Sequence, residues 1–261
     1  MNGSILGILA AYRRGRQLAA LALSTLPRAL ELETAKRVLV FAPHPDDESI
    51  GCGGTLALLA RLCPVKVVLI TDGSGAGDLP PDAASKRQAE FAKALAALGV
   101  SEHACLNEPD GHFRDTPEFR DKVMALLDHD RPTWVFLPSP LDYHRDHIRA
   151  AAILNELCRR ARSVEQLLYY EVWSPLPATH VVDITSVVEQ KRAALQSHVT
   201  ALAYRDYLNV SLGLAAYRSL YLPPAASPRW AEAFWVEAAE QQSLFGQILT
   251  LSLTLLQRLR S

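Results

Sequence analysis

Two short segments of this 261-residue chain hold more metal-ligating and proton-transferring side chains than turn formation needs. The first is His44-Pro45-Asp46-Asp47-Glu48, one imidazole and three carboxylates within five positions. Burying such a group is costly unless a cation or hydrogen-bond donors accompany it. The plainer alternative is a solvated turn whose Asp or Glu caps the next helix. The second segment is Asp142-Tyr143-His144-Arg145-Asp146-His147. Two His three positions apart lie on one face of a helix. Two His and one carboxylate make a three-ligand set that leaves a position open for water. Zn²⁺ in such a set lowers the pKa of water to about 7 and so yields a nucleophile at neutral pH. A further carboxylate can take the proton, and a further His can donate to or polarise an oxygen. The two segments supply both in surplus, which points to hydrolysis rather than to a structural metal.

Weaker signals sit at other strand ends. Asp72-Gly73-Ser74-Gly75 and Pro109-Asp110-Gly111-His112 offer carboxylates, although Asp-Gly is also a common turn dipeptide. Glu171 has functional and structural readings in equal measure. Gly51-Cys52-Gly53-Gly54 suggests a dinucleotide fingerprint, with Asp72 about twenty residues on. However, the third glycine of that pattern falls at Leu56, and the charged turn 43–50 separates strand from glycines. A non-haem Fe(II) oxygenase also uses two His and a carboxylate, but that chemistry leaves Asp46 without a task.

These segments need a scaffold that brings them together. Candidate strands are Arg37–Ala42, Val65–Thr71, His103–Leu106, Thr133–Leu137, Leu167–Val172 and His180–Ile184. Several are continuous apolar runs, the pattern of strands covered on both faces. Helical patterns occupy Gly51–Leu62, Ala83–Leu98, Pro117–Asp128, Asp146–Ala161 and Thr185–Ala203, with Gly99 placed as a C-terminal cap. The alternation predicts an α/β, mostly parallel open sheet with helices on both faces. Both His-rich segments follow strands, so they should converge on one edge of the sheet. Lys plus Arg is 27 against 28 Asp plus Glu, a net charge of −1 that argues against nucleic-acid binding by bulk charge. Four Cys with no CxxC pair do not make a disulfide scaffold, and a reducing, cytoplasmic setting fits them. The N-terminus lacks an early basic region, so a cleaved signal peptide is not expected, and the Asn209-Val210-Ser211 triplet carries no weight. Residues 5–26 and 244–261 are apolar with embedded Arg. They read either as packing on the body or on a partner subunit of a homo-oligomer, or as a peripheral membrane contact.

The segment FAPHPDDESIGCGGTLALL, followed in order by VVLITDGSGAG, KRQAEFAKALAALGV, PDG and HRDH, resembles the LmbE-like deacetylases related to PIG-L. The likeness runs from about Lys36 to His198, with fainter echoes in KRAALQSH and Ala231–Phe234. It implies a metal-dependent enzyme that removes acetyl groups from N-acetylglucosamine-type substrates, releasing acetate and a free amino sugar. It also implies a Rossmann-like single domain over 36–241; outside the resemblance, composition marks 1–35 as an apolar, basic helical segment and 242–261 as an amphipathic helix. By the resemblance, His44, Asp47 and His147 hold Zn²⁺, with Fe²⁺ able to replace it. Asp46 is the general base, protonated His144 stabilises the oxyanion, and Arg87 and Asp110 hold the sugar. Some relatives use a Tyr before the H-x-x-H, and Tyr143 directly precedes His144. An amidase acting on a larger acyl or thiol-sugar conjugate, or a sugar-binding module without turnover, would keep the same residues.

Overall fold

The computed structural model describes residues 26–75 and 82–240. Both apolar termini fall outside them, apart from Leu26, which is exposed. Among the described residues, eight strands form one sheet: β1 (Arg28–Ala29), β2 (Val38–Ala42), β3 (Val65–Thr71), β4 (Glu102–Glu108), β5 (Trp134–Pro138), β6 (Gln166–Tyr170), β7 (His180–Asp183) and β8 (Ala231–Ala238). Their order is β1-β7-β8-β6-β5-β2-β3-β4, parallel except where β8 runs against β6 and β7. The helices are α1 (Asp47–Leu59), α2 (Ala83–Ala97), α3 (Pro117–Asp130), α4 (Arg145–Arg160), α5 (Val188–Ser197), α6 (Val199–Tyr204) and α7 (Tyr207–Arg218).

Burial explains the continuous apolar strands. Along β2, Val38, Val40 and Ala42 enter one core while Leu39 and Phe41 enter the other. Trp134 and Phe136 of β5 divide from Val135 and Leu137 in the same way. A strand with period-2 side chains and helices on both faces has no polar face to keep. The first core takes apolar residues from α1, α2 and α5; the second takes them from α3 and α4. None of the described helices is long and apolar enough to cross a membrane.

The topology decides where ligands can sit. β2 pairs with β3 on one side and with β5 on the other. From β2 the chain builds outward through β3 and β4, then returns to build the other half from β5. That reversal is the switch point at which open α/β sheets bind ligands. Val38–Val40 lie in parallel register with Trp134–Phe136. The loops leaving β2 and β5 therefore emerge side by side, although the chain between them is about a hundred residues long.

Several elements differ from the sequence expectation. β8 was not anticipated: its sequence AEAFWVEA places Glu232 and Glu237 at buried positions. Glu232 pairs with Lys191 at 2.6 Å, and Glu237 pairs with Arg159. Charges neutralised by distant partners hide a strand from pattern reading. The expected helix Thr185–Ala203 is a 3₁₀ turn followed by α5 and α6, broken at His198 (φ −83°, ψ 61°). The segment of α7 was also not expected to be helical.

α1 begins at Asp47, four residues before the expected start, and breaks at Cys52 (φ −142°, ψ 15°). Groups freed by the break are satisfied by buried side chains. Ile50 O accepts from Lys191 Nζ at 2.8 Å and from Ser211 Oγ at 3.0 Å. Gly54 N–H and Thr55 N–H donate to the two Glu232 carboxylate oxygens at 2.9 and 2.7 Å. The short first part of α1, which carries Asp47, is thus held as a separate piece. Gly51 and Gly54 serve close packing there: a Cβ would lie 2.3 Å from the Tyr170 ring in one case and 2.7 Å from Ile184 in the other. With Leu56 fully buried in the core, the Gly51–Gly54 run makes no phosphate cradle.

Candidate active site

The loop after β2 turns sharply into α1 at Asp46, whose φ of 151° is unusual for a residue with a Cβ. Such a conformation costs of order 1–3 kcal/mol and is kept where the surroundings enforce it. It lets three neighbouring side chains serve different purposes. His44 and Asp47 turn towards β5. Asp46 faces Arg87, with Nη2 3.8 Å from Oδ2. Glu48 turns inward, where Ser49 Oγ donates to it at 2.6 Å and His198 Nε2 lies 3.3 Å away.

The loop after β5 brings the second segment. Asp142 Oδ1 accepts from His144 N–H at 2.9 Å, and Oδ2 accepts from Trp173 N–H at 3.0 Å. His144 is the N-cap of α4, its Nδ1 accepting from Asp146 N–H at 3.3 Å. His147, one turn into α4, is fully buried.

Three atoms then converge. His44 Nδ1 lies 3.2 Å from Asp47 Oδ2 and 3.1 Å from His147 Nε2, and His147 Nε2 lies 3.1 Å from Asp47 Oδ2. The far nitrogen of each ring faces carboxylates. His44 Nε2 lies 3.2 Å from Asp110 Oδ1 and 3.4 Å from Asp146 Oδ2; His147 Nδ1 lies 3.3 Å from Asp142 Oδ2, off the line of an aligned hydrogen bond. A ring N–H aimed at a carboxylate leaves the other nitrogen as a lone pair, the arrangement that orients metal-ligating His. Two imidazole lone pairs and a carboxylate oxygen thus face one another in a buried triangle. Their mutual repulsion is relieved by a proton or by a cation, and the donor set is one that Zn²⁺ and Fe²⁺ accept. His144 completes a second grouping with His44 and His147, and Asp110 and Asp146 a third with His44. The His44–Asp47–His147 triangle is the tightest, so it fits a single ion best.

The electrostatics agree. Burial resists charging His147, but Asp47 and Asp142 outweigh it and raise the imidazole to about 9. Burial likewise opposes charge on Asp47, yet His147 and His44 hold the carboxyl well below its usual range. The triangle therefore attracts positive charge. Asp46 is pushed up to about 7, first by burial and then by repulsion from Asp47, with Arg87, His198 and His44 acting in the opposite direction. His144 is lowered by burial and by the nearby His44 and His147.

All seven residues singled out in the sequence lie in this region. His44, Asp46, Asp47, Asp110 and His147 are buried, and His144 is half-buried with its ring 4.6 Å from that of His44. Arg87 is buried as well; its Nη1 donates to Gly73 O at 2.8 Å and lies 3.6 Å from Asp110. Arg87 and Asp110 thus contact Asp46 and His44 as well as each other. Tyr143 is 68% exposed. Asp72 makes a turn, accepting from Ser74 N–H at 2.9 Å and from Asp110 N–H at 3.3 Å. Glu171 is a buried partner of Arg218. Sequence reading gave no role to Asp142, Asp146, Glu48, His198, Lys191 or Glu232. The first three were visible beside the His residues, but the last three lie far along the chain and carried only the faint echoes KRAALQSH and AEAF.

Comparison with known proteins bears on the same region. A family model described as PIG-L, GlcNAc-PI de-N-acetylase, matches residues 39–158, a stretch that includes every residue from His44 to His147 discussed above. A diacetylchitobiose deacetylase of Thermococcus kodakarensis is 30% identical over 187 residues, covering 62% of this chain and 69% of its own. A 1D-myo-inositol 2-acetamido-2-deoxy-alpha-D-glucopyranoside deacetylase of Saccharomonospora viridis is 31% identical over 237 residues, covering 66% and 88%. Among solved structures, the N,N'-diacetylchitobiose deacetylase of Pyrococcus horikoshii superposes with a TM-score of 0.70 at 24% identity, covering 83% of this chain and 90% of its own. That last likeness is one of fold.

Proposed function

This chain belongs to the PIG-L family of GlcNAc-PI de-N-acetylase relatives, and from that premise we propose that it hydrolyses the N-acetyl group of an acetamido sugar. The observation that carries the proposal is the buried triangle of two imidazole lone pairs and one carboxylate oxygen with a second carboxylate, Asp46, next to it. His44, Asp47 and His147 would hold the ion, Zn²⁺ or else Fe²⁺. When bound, such an ion supplies Lewis acidity, lowering the pKa of water and polarising a carbonyl.

The remaining work falls to the chain's own side chains. Asp46 takes a proton from water as the water oxygen bonds to the acetyl carbonyl carbon. The Arg87 guanidinium beside it favours the carboxylate form that accepts this proton. His144 donates a hydrogen bond to the carbonyl oxygen as it gains negative charge. Its Nδ1 accepts from the α4 backbone, which leaves Nε2 as the nitrogen free to donate. Collapse breaks the C–N bond, and the proton held by Asp46 passes to the leaving nitrogen. The products are acetate and the free amine. Arg87 and Asp110, which contact Asp46 and His44, would meet the sugar.

The test is acetate release from a panel of acetamido sugars, including N-acetylglucosamine, diacetylchitobiose and an N-acetylglucosaminyl inositol, with protein loaded with Zn²⁺ or Fe²⁺. Turnover of one or more is expected. No acetate from any substrate with either metal would refute the proposal. With an N-acyl or thiol-sugar conjugate added to the panel, hydrolysis of that conjugate alone would select the amidase reading.

A further inference from the structure

Trp173 is an exposed aromatic ring that hydrolysis does not use. It lies just beyond β6, on the same sheet edge as the site, and its indole is 41% exposed. Its backbone N–H donates to Asp142 Oδ2, the oxygen 3.3 Å from His147 Nδ1. The main chain of Trp173 is thus tied to the surroundings of the ion-binding triangle, whatever side chain it carries.

Arg205, in the break between α6 and α7, and Tyr207, the first residue of α7, meet the indole. The Arg205 guanidinium carbon lies 5.3 Å from the ring centroid. The Tyr207 ring meets Trp173 edge to face, at 6.0 Å between centroids and 83° between planes. The break is well ordered by hydrogen bonds: Arg205 N–H donates to Ala201 O at 3.1 Å, Tyr207 N–H donates to Arg205 O at 2.7 Å, and Asp206 caps α7 by accepting from Asn209 N–H at 3.0 Å. Tyr207 is half-buried, and its phenol is raised by burial first and then by the charges of Asp46 and Asp47. The row runs from half-buried Tyr207 to solvent through Trp173 and Arg205. Neither ring belongs to the apolar clusters of the core. A rigid aromatic surface with a cation against it, continuous with a polar site, has the make-up of a ligand subsite.

We propose that Trp173, with Tyr207 and Arg205, forms a subsite for a second hydroxylated ring, the one joined to the acetamido sugar whose acetyl group is removed. The inference rests on the acetamido-sugar reading above. The C–H face of a saccharide or cyclitol ring packs on an indole as other apolar surfaces do, and a guanidinium offers donors to its hydroxyl groups.

The experiment compares Trp173→Ala and Trp173→Phe with the parent on N-acetylglucosamine, on diacetylchitobiose and on an N-acetylglucosaminyl inositol. The alanine variant should lose about tenfold or more in kcat/KM on the two-ring substrates, mostly through KM, the size of one lost aromatic anchor. Its activity on the single-ring sugar should stay within about twofold, because the N–H to Asp142 is retained. The phenylalanine variant should recover much of the loss. Loss on the disaccharide but not the inositol glycoside, or the reverse, identifies which ring the subsite takes. Equal loss on all three substrates, or none on any, overturns the proposal. Binding of the deacetylated disaccharide, followed by calorimetry on parent and Trp173→Ala, separates the two ideas. A difference there without acetate release from any substrate would sink the deacetylase reading and leave the subsite standing.

Discussion

Asp142 is the residue whose replacement best tests the view that carboxylates behind the imidazoles prepare the ion site. Its buried carboxylate accepts two partly buried main-chain N–H groups, from His144 at 2.9 Å and Trp173 at 3.0 Å, and its Oδ2 faces His147 Nδ1 at 3.3 Å. In Asp142→Asn only one acceptor remains. The amide carbonyl should take the place of Oδ2, where two donors await it, leaving the amide NH₂ opposed to His144 N–H. A fully buried donor without an acceptor costs about 1–3 kcal/mol and a partly buried one less, so the metal-free variant should lose about 1 kcal/mol of stability. The His147 tautomer survives, but a neutral carbonyl supports Nδ1–H less well than a carboxylate. Replacing such an outer partner weakens metal binding by about 10–100-fold, or ~1.4–2.7 kcal/mol. The asparagine variant belongs near the lower figure and Asp142→Ala, which removes both oxygens, near the upper. Zn²⁺ competition against a chromophoric chelator reads the affinities, and urea midpoints read the stability. If both variants bind Zn²⁺ like the parent, or alanine binds no worse than asparagine, Asp142 does not prepare His147.

Asp46→Asn should keep its metal, by elemental analysis, and lose about 10²–10⁴ in turnover, the usual worth of a general base; unchanged turnover would remove Asp46 from that role. His147→Ala should instead lose the metal itself, and retention of a full equivalent would contradict the triangle. Glu232→Gln leaves Lys191 buried beside a neutral group and should cost about 3–5 kcal/mol by denaturant unfolding, with Lys191→Met added to it costing less than the sum of the two. For His198, burial opposes protonation, but Glu48 outweighs it and the folded pKa is raised. Its contribution to stability is thus complete below the unfolded value of about 6.5 and fades as pH rises through the folded value. Thermal melts of His198→Gln between about pH 6 and 9 should fall less with pH than those of the parent; parallel curves would exclude the linkage.

What the sequence determined by itself is the local chemistry and the layered fold. Period-2 strands without a polar face required helices on both sides, and β2, β3 and β5 lie within a residue or so of their expected limits. HPDDE and HRDH carried side chains of metal-ligating type openly, because residue type is visible whatever surrounds it. The tertiary structure alone decided where each of the surplus carboxylates lies. Asp46 and Asp47 are neighbours in sequence, but an uncommon backbone angle sends one to the triangle and the other to Arg87. β8 and the break in α1 were hidden for a related reason. Glu232 looks like a surface residue until Lys191, 41 positions away, neutralises it and both of its oxygens cap a broken helix. Charge type is a property of a residue, whereas the free energy of burying that charge belongs to its surroundings, and those exist only once the chain has folded.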